Sequence, residues 1–206
     1  NSVINPEDTV HLEIEDDAVR CATGGKKSQA DLDNLERQMT RSIARLRQGH
    51  TRQNGMAEIR AMAEGLLEAD IPVVLKCLRS ASNVHEGVFQ RECVKVVGLL
   101  SRPCPSVVAP HLNSFVDAVC SRINVKDEVV HTACVESIGS LARRVLPILT
   151  RGRVKPSFSA ILDPLLDLVN KHGNSIIGEI SAKCLQGAFS LDTPKQDMVT
   201  FKIFGI

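Results

Sequence analysis

The segments NVHEGVFQREC, NVKDEVVHTAC and NSIIGEISAKC each begin at an Asn (Asn83, Asn124, Asn174) and end at a Cys ten residues on (Cys93, Cys134, Cys184). Two explanations compete: a cysteine chemistry, or a repeated unit whose register the cysteines mark. Aligning the segments on their cysteines decides between them. Four residues before lie Phe89, Val130 and Ile180; one after, Val94, Val135 and Leu185. Four after lie Val97, Ile138 and Ala188; seven after, Leu100, Leu141 and Leu191. These offsets fall on one face of an α-helix. Each cysteine therefore sits at the centre of an apolar stripe, where a small apolar filler is expected.

The spacings are 134 − 93 = 41 and 184 − 134 = 50 residues. The first matches the roughly 40–47-residue period of HEAT and armadillo repeats. The second is one such period lengthened by RRVLPILTRGRVK (143–155), read as a long connection. A second helix precedes each segment: DIPVVLKCLRSAS (70–82), VVAPHLNSFVDAVCSRI (107–123) and FSAILDPLLDLVNKHG (158–173). Pro72 belongs in a first turn; Pro110 and Pro164 are expected to kink their helices. The three asparagines are expected as left-handed caps, and Asp127 and Glu128 as acids at the next helix start. A more degenerate pair fits 31–47 and 51–67, where Leu32, Leu35, Met39, Ile43 and Leu46 form the first stripe and Ile59, Ala63 and Leu66 the second. One pair cannot bury its apolar face alone, so the expected fold is all-α, an α-solenoid of four to five HEAT/armadillo-like helical hairpins. Residues 1–30 read as an acidic flexible tail, 31–191 as the repeat domain and 192–206 as a C-terminal extension. Alternating Val10, Leu12 and Ile14 give the tail a minority reading as an ordered arm.

Composition removes several functions. Lys plus Arg (25) nearly cancels Asp plus Glu (24), and there is no Trp or Tyr. Nucleic-acid binding therefore has neither a global field nor stacking platforms. No apolar run is long enough for a membrane span. The opening NPEDTVHLEIEDD is acidic where a secretory signal would be basic and then apolar. Seven scattered cysteines read as reduced thiols of a cytoplasmic protein rather than a disulfide frame. His131 and Cys134 stand three apart on one helix, as two metal ligands would, but no second close pair accompanies them. No phosphate-binding loop, H-E-x-x-H or G-x-S-x-G is present. The reading is therefore no enzyme, no cofactor and no metal.

The segment SIARLRQGHTRQNGMAEIRAMAEGLLEADIPVVLKCLRSAS (42–82) resembles the opening of TOG domains, the tubulin-binding HEAT arrays of microtubule-associated proteins. The likeness is strongest to the plant Tortifolia/Spiral type, extends over about Leu35–Phe189 and includes the long connection before the fourth pair. The resemblance implies a paddle whose intra-pair turns line one edge and grip tubulin or a microtubule, in the cytoplasm at the cytoskeleton. By position, the contact residues would be Arg47, His50, Arg52 and Gln53 in the first turn and Asn83, His85 and Glu86 in the second. Lys126, Asp127 and Glu128 would follow in the third, and Lys171, His172 and Asn174 in the fourth. The chain departs from the family pattern in having no Trp in the first turn. It also carries Val130, His131 and Thr132 where many members are basic, and four pairs rather than five or six.

Two surface features have bland and sharp readings. Arg143, Arg144, Arg151, Arg153 and Lys155 form a basic stretch without an acid. It is either a solvated loop, with Arg143 and Arg144 complementing a helix C-terminus, or a secondary contact for an acidic partner through Arg151, Arg153 and Lys155. Arg45, Arg47, His50 and Arg52 concentrate positive charge in the first turn, which suits acidic tubulin. The rival function is a general HEAT scaffold binding another protein, including other cytoskeletal proteins.

Overall fold

Eight helices of eleven or more residues account for most of the chain described by the computed structural model, which covers residues 27–84, 86–123, 127–151, 159–173 and 175–189. Helix α1 (Gln29–Arg45) starts at Ser28, whose hydroxyl accepts from the Asp31 amide while the Asp31 carboxylate takes the Ser28 amide. This reciprocal cap satisfies two amides that the first turn leaves open. Helix α2 is Arg52–Glu64, α3 Ile71–Ala81 and α4 Gly87–Leu100. A single turn, α5 (Pro105–Val108), leads through a 3-10 turn (Ala109–His111) into α6 (Leu112–Ile123). Then come α7 (Glu128–Arg151), α8 (Ser159–His172) and α9 (Ile176–Phe189).

The helices form two layers. In one, α1 packs on α3, α3 on α6 and α6 on α8; in the other, α2 packs on α4, α4 on α7 and α7 on α9. The four expected pairs are therefore α1/α2, α3/α4, α5–α6/α7 and α8/α9, an all-α solenoid. The core lies between the layers and includes Met39, Ile59, Leu78, Phe115, Ile138 and Leu165, each essentially inaccessible to solvent. Within the second layer, small residues let helices approach closely. A Cβ on Gly98 would lie 3.1 Å from the Ser137 hydroxyl, and one on Gly139 would lie 3.4 Å from the Gly187 carbonyl oxygen. Ser137 donates to the Val94 carbonyl at 2.9 Å across the same interface.

Cys93, Cys134 and Cys184 are fully buried in this core, as the stripe requires. The other stripe positions are buried too, except Val135, which is half-exposed, and Leu191, which lies outside the described residues. Pro72 occupies a first turn and Pro164 lies inside α8. The stretch 107–123 is not one helix: the chain bends at Ala109–His111, and Pro110 lies in that 3-10 turn.

Two further expectations fail. The segment 143–155 is not a connection along its length, because α7 continues to Arg151 with Pro147 inside it. Leu141, Ala142, Val145 and Leu146 are buried at helical spacing, and that continuous stripe outweighs the proline. Arg143 and Arg144 are consequently mid-helix residues and complement no helix end. Nor is Asn83 a left-handed cap, since no non-glycine residue described has a positive φ. α3 ends instead at Ser82 in right-handed geometry, with the Ser82 amide donating to the Arg79 carbonyl. Among the described residues only Gly173, at φ 49°, takes the left-handed turn, where a residue without Cβ costs least. Asn124 and Asn174 lie outside the described residues. No described helix is long and apolar enough to cross a membrane.

Candidate functional site: the turn edge

Turns between antiparallel partners of a two-layer array fall at one end of the stack, so the question is whether contacts hold them in line. Between the first and second turns an ion pair does so: Arg47 donates through Nε to Glu86 Oε1 at 2.8 Å, with a second, shorter contact through Nη2. Both groups are about half exposed. The Glu86 partnership raises the Arg47 pKa, and Arg47 holds the Glu86 carboxyl below its usual range. Between the second and third turns the link is steric. A Cβ on Gly87 would stand 1.7 Å from Asp127 Oδ2, so the carboxylate occupies space that only glycine leaves open. The other oxygen of Asp127 accepts from the Val129 amide at 2.9 Å, capping α7. The fourth turn follows from the packing of α8 on α6 and α9 on α7. There Gly178 leaves room for the Gly173 carbonyl, which a Cβ would approach to 2.1 Å.

The first turn is held from inside. Thr51 donates to the Arg45 carbonyl at 2.8 Å, and Arg52 Nε donates to the Leu46 carbonyl at 3.1 Å. Arg52 thus places its charge at the C-terminus of α1, where a cation is favoured. Arg45 pairs with Glu58, which also accepts from the Ser42 hydroxyl at 2.6 Å. Much of the positive charge read from this turn is therefore committed internally. Along the edge the charge is mixed: Arg47 and His50 in the first turn, Glu86 in the second and Asp127 and Glu128 in the third, then Lys171 and His172 in the fourth. His50, Gln53, Asn83, Glu128 and Lys171 are exposed, and His172 is half-buried. His85, Lys126, Asn174, Arg153 and Lys155 lie outside the described residues, as does the Arg151 side chain.

A buried pair that the sequence reading did not select positions the second turn. Arg122 is 2% exposed and has no carboxylate partner among the described residues. Its Nε donates to Gln90 Oε1 at 2.9 Å and its Nη2 to the Leu78 carbonyl at 2.8 Å, while Nη1 bonds back to the Ala118 carbonyl. Gln90 in turn donates to the carbonyls of Ala81 and Ser82 at 3.3 and 3.2 Å and, more closely, to that of Val84. Burial lowers the Arg122 pKa, partly countered by the neighbouring Cys93 and Cys134 thiols. The sequence signal was an arginine at a stripe position, three residues after Val119, which itself aligns with Phe115 and Leu112.

The thiols show no reactive setting. Burial pushes Cys93 up to about 11 and Cys134 up to about 12, and moves Cys184 in the same direction. A nucleophilic cysteine needs the opposite shift. His131 Nε2 lies 3.2 Å from the Ile123 carbonyl, and the Cys134 thiol points weakly at the Val119 carbonyl at 3.9 Å. The two are therefore held by separate backbone groups. Among the described residues no three His, Cys, Asp or Glu side chains gather around a common cation position. What the edge offers is a row of hydrogen-bonding and charged groups on a rigid support, suited to binding.

Residues 33–202 match the protein family described as TORTIFOLIA1 N-terminal. Among curated relatives from Arabidopsis thaliana, TORTIFOLIA1-like protein 5 is 22% identical over 82% of this chain and 32% of its own length. TORTIFOLIA1-like protein 4 is 23% identical over 66% of this chain and 21% of its own length. Microtubule-associated protein TORTIFOLIA1 is 25% identical over 52% of this chain and 12% of its own length. The matched region thus spans a third or less of each of these relatives.

Proposed function

The chain belongs to the TORTIFOLIA1 N-terminal family, and from that premise we propose that it is a microtubule-associated module that holds the tubulin surface through its intra-pair turns. The observation that carries the reading is the alignment of three successive turns, linked by Arg47–Glu86 and by Gly87 against Asp127. An internally braced row suits a repeating protein surface because several modest polar contacts can form together without ordering the binder first. The mixed charge, acidic in the two middle turns and basic in the outer two, favours a defined orientation over general attraction to an acidic polymer. A relative named as a microtubule-associated protein supports the choice of partner.

Co-sedimentation with microtubules tests this. Exposed polar contacts contribute up to about 1 kcal/mol each, so Arg47→Ala, Lys126→Ala and Lys171→Ala together should weaken pelleting by about tenfold or more, with the helical circular dichroism retained. Pelleting should also fall as salt is raised. Unchanged affinity in a folded triple variant would remove the edge from the account and leave the scaffold reading.

A further inference from the structure

The large aliphatic side chains exposed among the described residues are Val88 and Val129, each 46% exposed, and Ile176, 56% exposed. They are not scattered. Val88 is the second residue of α4, Val129 the second of α7 and Ile176 the first of α9. These are three successive helices of the second layer, and each residue lies where an intra-pair turn ends. Val88 and Val129 are equivalent in the repeat, each five residues before its aligned cysteine, Cys93 or Cys134. Ile176 stands eight before Cys184, because α9 starts earlier in its repeat. The fit of Asp127 against Gly87 sets the starts of α4 and α7 side by side, and α9 packs on α7. In α2 the second residue is the exposed Gln53, so the row runs from the second turn to the fourth.

The fold does not account for these residues. Five positions from a buried cysteine is about 140° round the helix, so Val88 and Val129 face away from the core stripe. Valine and isoleucine are also poorer helix formers than alanine. A single exposed apolar residue needs no explanation, but three confined to one rim mark a contact surface. Their surroundings carry acids. Glu86 precedes Val88, Asp127 and Glu128 precede Val129, and Glu179 lies one turn beyond Ile176. A shallow groove between α4 and α7 holds Val129 and Ala133, bordered by Arg91, Lys95, Glu128 and Glu136. Arg91 and Lys95 are both turned to Glu92, and Lys183 is held by Glu179 at 2.8 Å. Glu128 and Glu136 are exposed and form no ion pair among the described residues.

We propose that Val88, Val129 and Ile176 are the apolar anchors of the turn edge, and that they seat an apolar patch of the tubulin surface with basic side chains beside Val88 and Val129. This rests on the reading of the edge as the tubulin-holding surface and names the kind of patch its second to fourth turns take. Apolar contact supplies affinity that salt does not screen. The carboxylates beside the two valines match a cationic rim and disfavour an acidic stretch at the same place.

Co-sedimentation of the full chain with microtubules over a salt series tests the proposal, using the variant Val88→Thr, Val129→Thr, Ile176→Thr. Threonine keeps the β-branch and removes apolar surface, and the positions are exposed, so the helical circular dichroism should not change. Pelleting should weaken by about tenfold or more, by a similar factor at every salt concentration. The variant Arg47→Ala, Lys126→Ala, Lys171→Ala should instead lose mainly the salt-dependent part. Glu128→Lys should weaken pelleting by about threefold. Should the apolar triple variant unfold, Val129→Thr alone decides, with a loss of about two- to threefold expected. Unchanged pelleting of the folded apolar variant, while the charged variant binds less, overturns this inference and leaves the edge reading standing. Tighter binding by Glu128→Lys overturns it too, since the patch met there is then acidic. So does self-association of the chain that the apolar substitutions abolish, which puts a second copy on the row. An unaltered chain that fails to pellet at any salt removes the edge reading, and this inference with it.

Discussion

At the residue scale, the aligned cysteines are packing pieces with a measurable signature. Their native pKa values lie above the ordinary thiol value of 9.0, reaching about 11 for Cys93 and about 12 for Cys134, because burial penalises the thiolate. An unfolded thiol releases its proton near its ordinary value, whereas the buried one keeps it. The unfolded state therefore binds fewer protons between these limits, and stability must fall as pH rises through that window. Each such thiol contributes a slope of about 1.4 kcal/mol per pH unit. Denaturant unfolding at pH 8 and at successive steps above pH 9 should show this loss, and Cys93→Ala with Cys134→Ala should reduce it, leaving the share of Cys120 and Cys184. The sequence conveyed the burial of these residues through spacing alone. It could not convey that Arg45, Arg47 and Arg52 are drawn to Glu58, Glu86 and the Leu46 carbonyl, because each partner lies on another turn or helix.

At the scale of elements, Arg122 and Gln90 tie α6, α4 and the end of α3 together. The guanidinium completes the accounting of buried carbonyls where α3 stops, a place where helix termini leave acceptors open. Arg122→Met should cost at least about 3 kcal/mol, since charge-assisted hydrogen bonds contribute about 1.5–3 kcal/mol each and their buried acceptors would be left unpaired. Arg122→Lys should recover little, because an ammonium cannot span the three acceptors as the planar fork does. Urea unfolding measures both. The same scale explains where the sequence misled. In 143–155 the extra length of the 50-residue interval suggested a connection, but the buried stripe through Val145 and Leu146 keeps α7 helical to Arg151. In 107–123 the apolar period suggested one helix, whereas the chain breaks at Ala109–His111 and Pro105 starts a separate turn.

At the scale of the molecule, each helix pair packs chiefly on its sequence neighbours, so stability should be distributed nearly linearly along the array. Gly139 meets the backbone of Gly187 across the last interface of the second layer. Gly139→Val should therefore raise hydrogen exchange in α7, α8 and α9 well before α1 and α2 respond. Equal loosening from end to end would indicate one cooperative unit instead. The linear build also sets how a partner is met, because a rigid stack converts small polar turns into one edge.

By itself the sequence determined the all-helical class, the pairing of helices, the repeat register and the burial of Cys93, Cys134 and Cys184. These are local, periodic properties, and a helix face is written into residue spacing. Tertiary structure alone decided which charges remain available at the edge, how Gly87 seats Asp127, and that Arg122 is an internal strut rather than a surface cation. Those outcomes depend on which residues meet across different helices, as Arg122 and Gln90 do 32 positions apart and Arg47 and Glu86 do 39 apart, and spacing within one helix carries no record of that.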